Sequence, residues 1–150
     1  MRLLIQRVNH ASVSIENSVC SSIKKGLLVF CGIEEIDDAE DIKWLVAKLL
    51  NLRIFADENG LMNLSTKDLS VEVLVVSQFT LHASTKKGNR PSFIKAAKPE
   101  KAKEFYNDFL KELKTEIGEK LKCGVFAADM KVSLENDGPV TIFIDSKNRE

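Results

Sequence analysis

Cysteine is scarce in this chain, and its placement excludes more than it suggests. The three that occur, Cys20, Cys31 and Cys123, are odd in number, widely spaced and without a Cys-x-x-Cys pair. That pattern argues against both a disulfide framework and a thiolate metal site. Cys31 ends an apolar run and is expected in the core; no basic neighbour stands beside it to lower its pKa, which counts against a catalytic thiol. Long apolar runs are also missing. No window approaches the roughly 20 residues of a membrane span, and Met1-Arg2-Leu3-Leu4-Ile5-Gln6-Arg7 meets charge too soon for a secretory signal. A cytoplasmic, membrane-free protein is therefore expected. Glycine is sparse too: Phe30-Cys31-Gly32-Ile33, the nearest thing to a phosphate fingerprint, has too few glycines to cradle one. No cofactor is predicted. No cluster has the spacing of metal ligands, so metal-free chemistry is expected. Finally, there is no excess of either charge: 22 basic residues balance 22 acidic ones. Any affinity for nucleic acid must come from local clustering.

What is present reads as one domain spanning 1–150. With 44% apolar residues, the chain can bury roughly two-thirds of its unfolded surface in a single core. Leu3, Ile5 and Val8, then Val13 and Ile15, then Val19 and Ile23, predict three short strands, with Glu16-Asn17-Ser18 as a turn. Gly26 to Ile33 predicts a strand covered on both faces. Asp37 followed by Glu40 has the form of a capping box before Ile42, Leu45, Val46, Leu49 and Leu50, predicting a helix from about Asp38 to Leu52. Asp57-Glu58-Asn59-Gly60 predicts a hairpin turn, and Val71 to Phe79 another buried strand. Pro99 opens a second helix carrying Ala102, Phe105, Phe109, Leu113, Ile117 and Leu121 on one side. Two last strands, around Met130 to Leu134 and Val140 to Ile144, are predicted to be joined by Asn136-Asp137-Gly138-Pro139; the charged tail from Asp145 is expected to fray. Strands dominate around two long helices, which predicts an α+β domain of layered sheets backed by helices.

Two segments and one cluster could carry chemistry. Between Lys86 and Lys103 stand seven cations, Lys86, Lys87, Arg90, Lys95, Lys98, Lys101 and Lys103, against the single acid Glu100; on its own this describes a solvated surface as well as it describes a polyanion contact. Ser77-Gln78-Phe79-Thr80-Leu81 falls where a buried strand meets that basic loop. Its polar groups either line a site or satisfy the backbone at a strand end. Asn136-Asp137-Gly138-Pro139-Val140-Thr141 is made of residues any turn prefers, with a Gly-Pro bond that can be cis at modest cost.

Together these two segments resemble the paired signature of the bacterial and eukaryotic D-aminoacyl-tRNA deacylases. The match continues through Ile5-Gln6-Arg7-Val8, Ala11-Ser12-Val13, Arg53-Ile54-Phe55, Met62-Asn63-Leu64, Arg90-Pro91-Ser92-Phe93 and Phe126-Ala127-Ala128-Asp129-Met130. The resemblance covers essentially the whole chain. It implies a β/β/α sandwich with a barrel-like sheet and two long helices. It also implies hydrolysis of the ester between a D-amino acid, or glycine, and the terminal ribose of tRNA, as proofreading of translation. By the same resemblance Gly138 and Pro139 form a cis peptide that enters the partner subunit's pocket, where its carbonyls face the substrate ammonium. Arg7 braces that segment. Ser77, Gln78, Phe79 and Thr80 form the catalytic stretch, and Met130 belongs to the substrate-binding set. A homodimer with active sites at the subunit interface follows.

An aminoacyl ester is already activated, so a positioned water and oxyanion donors, each contributing roughly 3 kcal/mol, are sufficient in principle. The expected donors are backbone N–H groups near Gln78 and Phe79, with Ser77 and Thr80 lining the pocket. Thr80 as nucleophile lacks a base beside it in sequence, and the tRNA's own 2′-hydroxyl is the alternative means of placing water. His10, expected in a turn, and His82, expected in a loop, fall outside the family motifs. Two rival readings stay open at this point: a noncatalytic nucleic-acid-binding protein using the basic stretch, and an L-aminoacyl-tRNA editing hydrolase of the same fold.

Overall fold

The first strand is longer than its pattern predicts, because one long strand runs beside it on one edge while two shorter strands share the other. In the computed structural model, which describes residues 1–149, Arg2–Ile15 is one strand, β1, rather than two. Arg2–Val8 pairs antiparallel with β3 (Gly26–Gly32), and Ala11–Ile15 with β2 (Ser18–Ile23). Along its other edge β1 pairs with β8 (Lys131–Asp145) for nearly its full length. β8 also corrects an expectation. Asn136-Asp137-Gly138-Pro139 does not reverse the chain between two strands; it is a bulge inside one strand, where the register against β1 slips on both sides of Val8. A bulge and a turn ask for the same backbone freedom, so the same residues serve both.

β6 (Glu72–Ser77) lies parallel to β3, and β7 (Leu121–Cys123) parallel to β6, giving the order β2-β1-β3-β6-β7 with β8 on the outer edge of β1. The sheet curls into a nearly closed barrel. Because side chains alternate along a strand, its central strands feed two cores. Leu27, Val29 and Cys31 of β3 and Val73 and Val75 of β6 meet the helices, while Leu28 and Leu74 with Val76 point into the barrel against Val8, Ala11, Val13 and Ile23. This is why Gly26 to Gly32 is apolar throughout.

The helices cover the first core. α1 (Ala39–Asn51) buries Ile42, Leu45, Val46, Leu49 and Leu50, as its spacing predicts. Its capping box, however, is Asp38 with Asp41, not Asp37 with Glu40. Asp37 is already occupied: it pairs with the buried Met1 ammonium and accepts the Glu34 N–H at 2.6 Å. A four-residue helix, α2 (Thr66–Leu69), follows the hairpin of β4 (Phe55–Ala56) and β5 (Met62–Leu64). α3 (Pro99–Ile117) buries Ala102, Tyr106, Phe109 and Leu113. Leu121 lies beyond it, in β7 opposite Val73, because the chain leaves the helix at Gly118. No helix among the described residues is long and apolar enough to cross a membrane.

The tail is docked rather than frayed as far as it is described. Asp145 binds Arg2 at 2.8 Å, the Ser146 N–H donates to the Met1 carbonyl at 2.9 Å, and Lys147 reaches Asp41 at 2.7 Å. Arg149 stacks over Trp44 at 4.6 Å.

Candidate active site

Two parallel strands, β3 and β6, end side by side, and the chain segments leaving them diverge around a cavity of about 650 Å³. β6 stops at Ser77 rather than at Phe79. The Gln78 N–H still donates to the Cys31 carbonyl at 2.8 Å, extending the ladder by one bond, and Phe79–His82 then turns into a short 3-10 helix. Opposite, the segment after the basic loop is tied to the end of β3: the Ala97 N–H donates to Ile33 at 3.0 Å, and the Glu35 N–H to Lys95 at 3.1 Å. The third wall is the loop from Phe126 to Met130. It is held to β6 where the Gly124 N–H and the Tyr106 hydroxyl both donate to the Val75 carbonyl, at 2.9 and 3.0 Å.

Ser77, Gln78, Phe79, Phe93, Phe126 and Met130 line this cavity. The Phe79 and Phe93 rings meet edge to face at 5.0 Å, so the strand end and the basic segment close on each other through an aromatic pair. Met130 lies against Gly124, where an added Cβ would come within 2.6 Å of its sulfur. The lining is apolar with a polar edge, as small-molecule sites usually are. Among the described residues no three His, Cys, Asp or Glu side chains converge as metal ligands do.

The structure separates residues that the motif puts together. Thr80 is exposed and outside the cavity lining, and its hydroxyl accepts from Gln78 Nε2 at 2.6 Å. Its partner is thus an amide donor and not a base. The Gln78 N–H, committed to Cys31, is not free for a substrate oxygen. Phe79 and Thr80 open the 3-10 helix, where the first amides have no acceptor within the helix. Cys31 borders the cavity, but burial pushes its thiol up to about 12, the Met1 ammonium opposing and Asp37 reinforcing the shift. It stays protonated and unreactive.

Gly138 and Pro139 are not in this cavity either. They are exposed on the β8 bulge, and the peptide between them is cis. Arg7 holds the bulge: Nε donates to the Asp137 carbonyl at 3.0 Å and lies 3.1 Å from its carboxylate, and Nη1 donates to the Ile54 carbonyl. Gly138 has φ +137, and a Cβ there would fall 2.9 Å from Arg7 Nη2. The residue is glycine because nothing larger fits between its own backbone and that guanidinium.

Sequence reasoning counted Asn136 only as a turn residue of the joining segment, and in the structure its side chain closes the bulge from within. Its Oδ1 accepts the Val140 N–H at 2.8 Å and its Nδ2 donates to the Val140 carbonyl at 3.1 Å. An Asn four residues before the strand resumes was the available signal, since its amide can imitate a backbone pair. His10 lies in β1 and is exposed, not in a turn. His82 is not in an open loop but is buried at the end of the 3-10 helix. Burial lowers its pKa, with the Gly32 backbone opposing and the Arg2 charge assisting.

This barrel-like α+β domain has the fold of D-aminoacyl-tRNA deacylase-like structures. The chain belongs to the D-Tyr-tRNA(Tyr) deacylase family, whose model matches residues 4–145. It is 60% identical over 150 residues, all of both chains, to a D-aminoacyl-tRNA deacylase of Flavobacterium psychrophilum, and 59% over the same span to one of Bacteroides fragilis. Among solved structures it is similar to the c-Myc DNA Unwinding Element Binding Protein, with TM-score 0.93, 42% identity, and 97% of this chain and 98% of that one covered. A probable eukaryotic D-amino acid tRNA deacylase shares the fold, with TM-score 0.81 and 17% identity over 95% and 97% of the two chains.

Proposed function

We propose that this protein hydrolyses the ester joining a D-amino acid to the terminal ribose of tRNA, releasing free tRNA and the D-amino acid. The observation that carries the reading is identity of about 60%, spanning the whole chain, to relatives named D-aminoacyl-tRNA deacylase. Water attacks the ester carbonyl, and the oxyanion so formed is held by the Phe79 N–H at the opening of the 3-10 helix, with the Thr80 N–H beside it. Ser77, Phe79 and Met130 shape the pocket. The ribose oxygen then leaves with a proton as the tetrahedral intermediate collapses. The tRNA's 2′-hydroxyl orients the water, so the protein contributes geometry and dipoles rather than a proton-transfer side chain.

The working unit in this proposal is a homodimer with active sites at the subunit interface. Gly138 and Pro139 are exposed and stand apart from their own chain's cavity, which suits a segment that completes the cavity of a second copy. There their carbonyl oxygens receive the α-ammonium group, leaving no room for an L side chain and admitting glycine. Selection then proceeds by exclusion, and Arg7 fixes the excluding segment. The protein works in the cytoplasm, where its substrate is made.

Matched D- and L-aminoacyl-tRNA with one side chain, followed for ester loss in chelator against uncatalysed hydrolysis, tests the reading. Turnover of the D form alone is expected. Turnover of the L form would sink chirality selection. Tight binding of tRNA without turnover would favour a noncatalytic nucleic-acid-binding role, to which the name of the 42%-identical neighbour gives some support.

A further inference from the structure

The seven cations between Lys86 and Lys103 do not behave as one patch. Lys101 donates to the Glu35 carbonyl, and Lys95 lies 4.0 Å from Glu34. Lys98 and Lys103 sit at the start of α3, on the protein body. Lys86, Lys87 and Arg90 differ from all of these. They stand on a loop whose base is closed by a reciprocal pair of backbone bonds, Ser84 N–H to Ser92 at 2.8 Å and Ser92 N–H to Ser84 at 2.9 Å. The span they close, Thr85-Lys86-Lys87-Gly88-Asn89-Arg90-Pro91, is exposed throughout and contains no carboxylate. Among the described residues, none of its three cations takes part in an ion pair.

The position of this loop matters as much as its charge. It leaves from the 3-10 helix that opens at Phe79 and returns through Phe93, which packs on Phe79 at the cavity wall. The loop base is therefore built into the cavity, and its tip extends into solvent with three unpaired positive charges. In a chain of zero net charge, this is a local concentration of positive charge with no carboxylate inside the loop to offset it. A ligand seated in the cavity and continuing outward as a polyanion would meet it. An aminoacylated RNA terminus has that form: a small ester at the end, phosphodiesters behind it.

We infer that the loop closed by Ser84 and Ser92 is a phosphate-contacting element, which grips the RNA backbone behind the terminal aminoacyl-nucleoside through Lys86, Lys87 and Arg90. The inference rests on the function proposed above, but it concerns a different part of the substrate. The loop contributes affinity without reading base sequence, because its groups are point charges and a guanidinium aimed at phosphates. It does not touch the scissile ester.

The experiment compares wild type with the triple variant Lys86→Gln, Lys87→Gln, Arg90→Gln on two substrates, full D-aminoacyl-tRNA and D-aminoacyl-adenosine. All three side chains are exposed, so the fold should tolerate the change. On tRNA, kcat/KM of the wild type should fall steeply with salt. In the variant the log–log slope should be shallower by about 2, since each phosphate no longer neutralised removes roughly 0.7–0.9 from it, with the deficit in KM rather than kcat. On D-aminoacyl-adenosine the two proteins should be equal at every salt concentration. Equal activity of the two proteins on tRNA at low salt would overturn the inference, and so would an equal loss on both substrates. If wild type hydrolyses neither substrate, the proposed function fails separately. Binding of uncharged tRNA then decides the loop, and a salt slope unchanged by the substitutions would overturn it.

Discussion

Replacing Gly138 with alanine gives the sharpest test of how the site is built. At φ +137 an L side chain is strained whatever surrounds it, at a cost of roughly 1–3 kcal/mol. Surroundings make it worse: the new Cβ would lie 2.8 Å from Val140 Cγ2 and 2.9 Å from Arg7 Nη2. The guanidinium must withdraw, loosening its bonds to Asp137 and Ile54, and one charge-assisted bond contributes about 1.5–3 kcal/mol. The variant should therefore be some 3–5 kcal/mol less stable, seen as a melting temperature lower by about 10 °C. Domains of this size commonly hold 5–15 kcal/mol, so most of the protein stays folded in the assay. Loss of rate then reports position rather than unfolding, and a displacement of about 1 Å corresponds to roughly a hundredfold. D-aminoacyl-tRNA turnover would be measured well below the melting transition, with Arg7→Met as companion because it frees the bulge while keeping the glycine. If the Gly138→Ala rate lies within threefold of wild type, the braced bulge does not position substrate.

Other expectations follow from single contacts. Thr80→Ala removes only a hydroxyl that accepts from Gln78, so its rate should fall no more than about fivefold, the worth of one ordinary hydrogen bond; a loss of a thousandfold in a folded variant would establish a nucleophilic hydroxyl. Asp37→Asn leaves the Met1 ammonium buried beside a neutral partner and should cost about 3–5 kcal/mol in urea denaturation at pH 7, whereas a cost below 1 would mean the ammonium does not depend on that charge. Asp41 is buried, which alone would raise its pKa, but bonds from Lys147, the Asp38 backbone and Ser146 prevail and hold it at about 2. Its folded value is below its unfolded one, so its stabilisation, about 2 kcal/mol, is complete above pH 4 and disappears as pH falls through 2. The gap in urea midpoint between wild type and Asp41→Asn should close over that range, and a constant gap would contradict the assignment.

Elements marked by a side-chain period, an unbroken apolar run or a turn signal were readable in the sequence, and the extent of strands that depends on a distant partner was not. Ile42, Leu45, Val46, Leu49 and Leu50 repeat at 3.6 residues whether or not a sheet is present to receive them, so α1 was legible to within a residue or so at either end. β1 was not legible as one strand, because its middle, Asn9 and His10, is exposed and polar and looks like a break. Continuity there depends on β8 lying alongside, about 125 residues away in the chain. The same holds for the helix cap. Both Asp37 and Asp38 are chemically competent, and only the arrival of the Met1 ammonium at Asp37 decides between them.

The site shows a finer version of this division. Its motifs could be recognised as residue strings, but the strings do not reveal which atoms remain available once the backbone has made its own bonds. Ser77-Gln78-Phe79-Thr80 offers four N–H groups in sequence. The ladder between β3 and β6 consumes that of Gln78, and the switch from strand to 3-10 helix leaves those of Phe79 and Thr80 without an intrahelical acceptor. That switch is placed by packing. A Cβ on Gly32 would stand 3.0 Å from the Gln78 carbonyl oxygen and 3.1 Å from Leu81 Cβ, so a side chain at the end of β3 would push the turn back by a few tenths of an ångström. Donor geometry at one strand thus depends in part on how closely its neighbour, lacking a side chain, lets the turn approach. No motif confined to either strand could express that dependence.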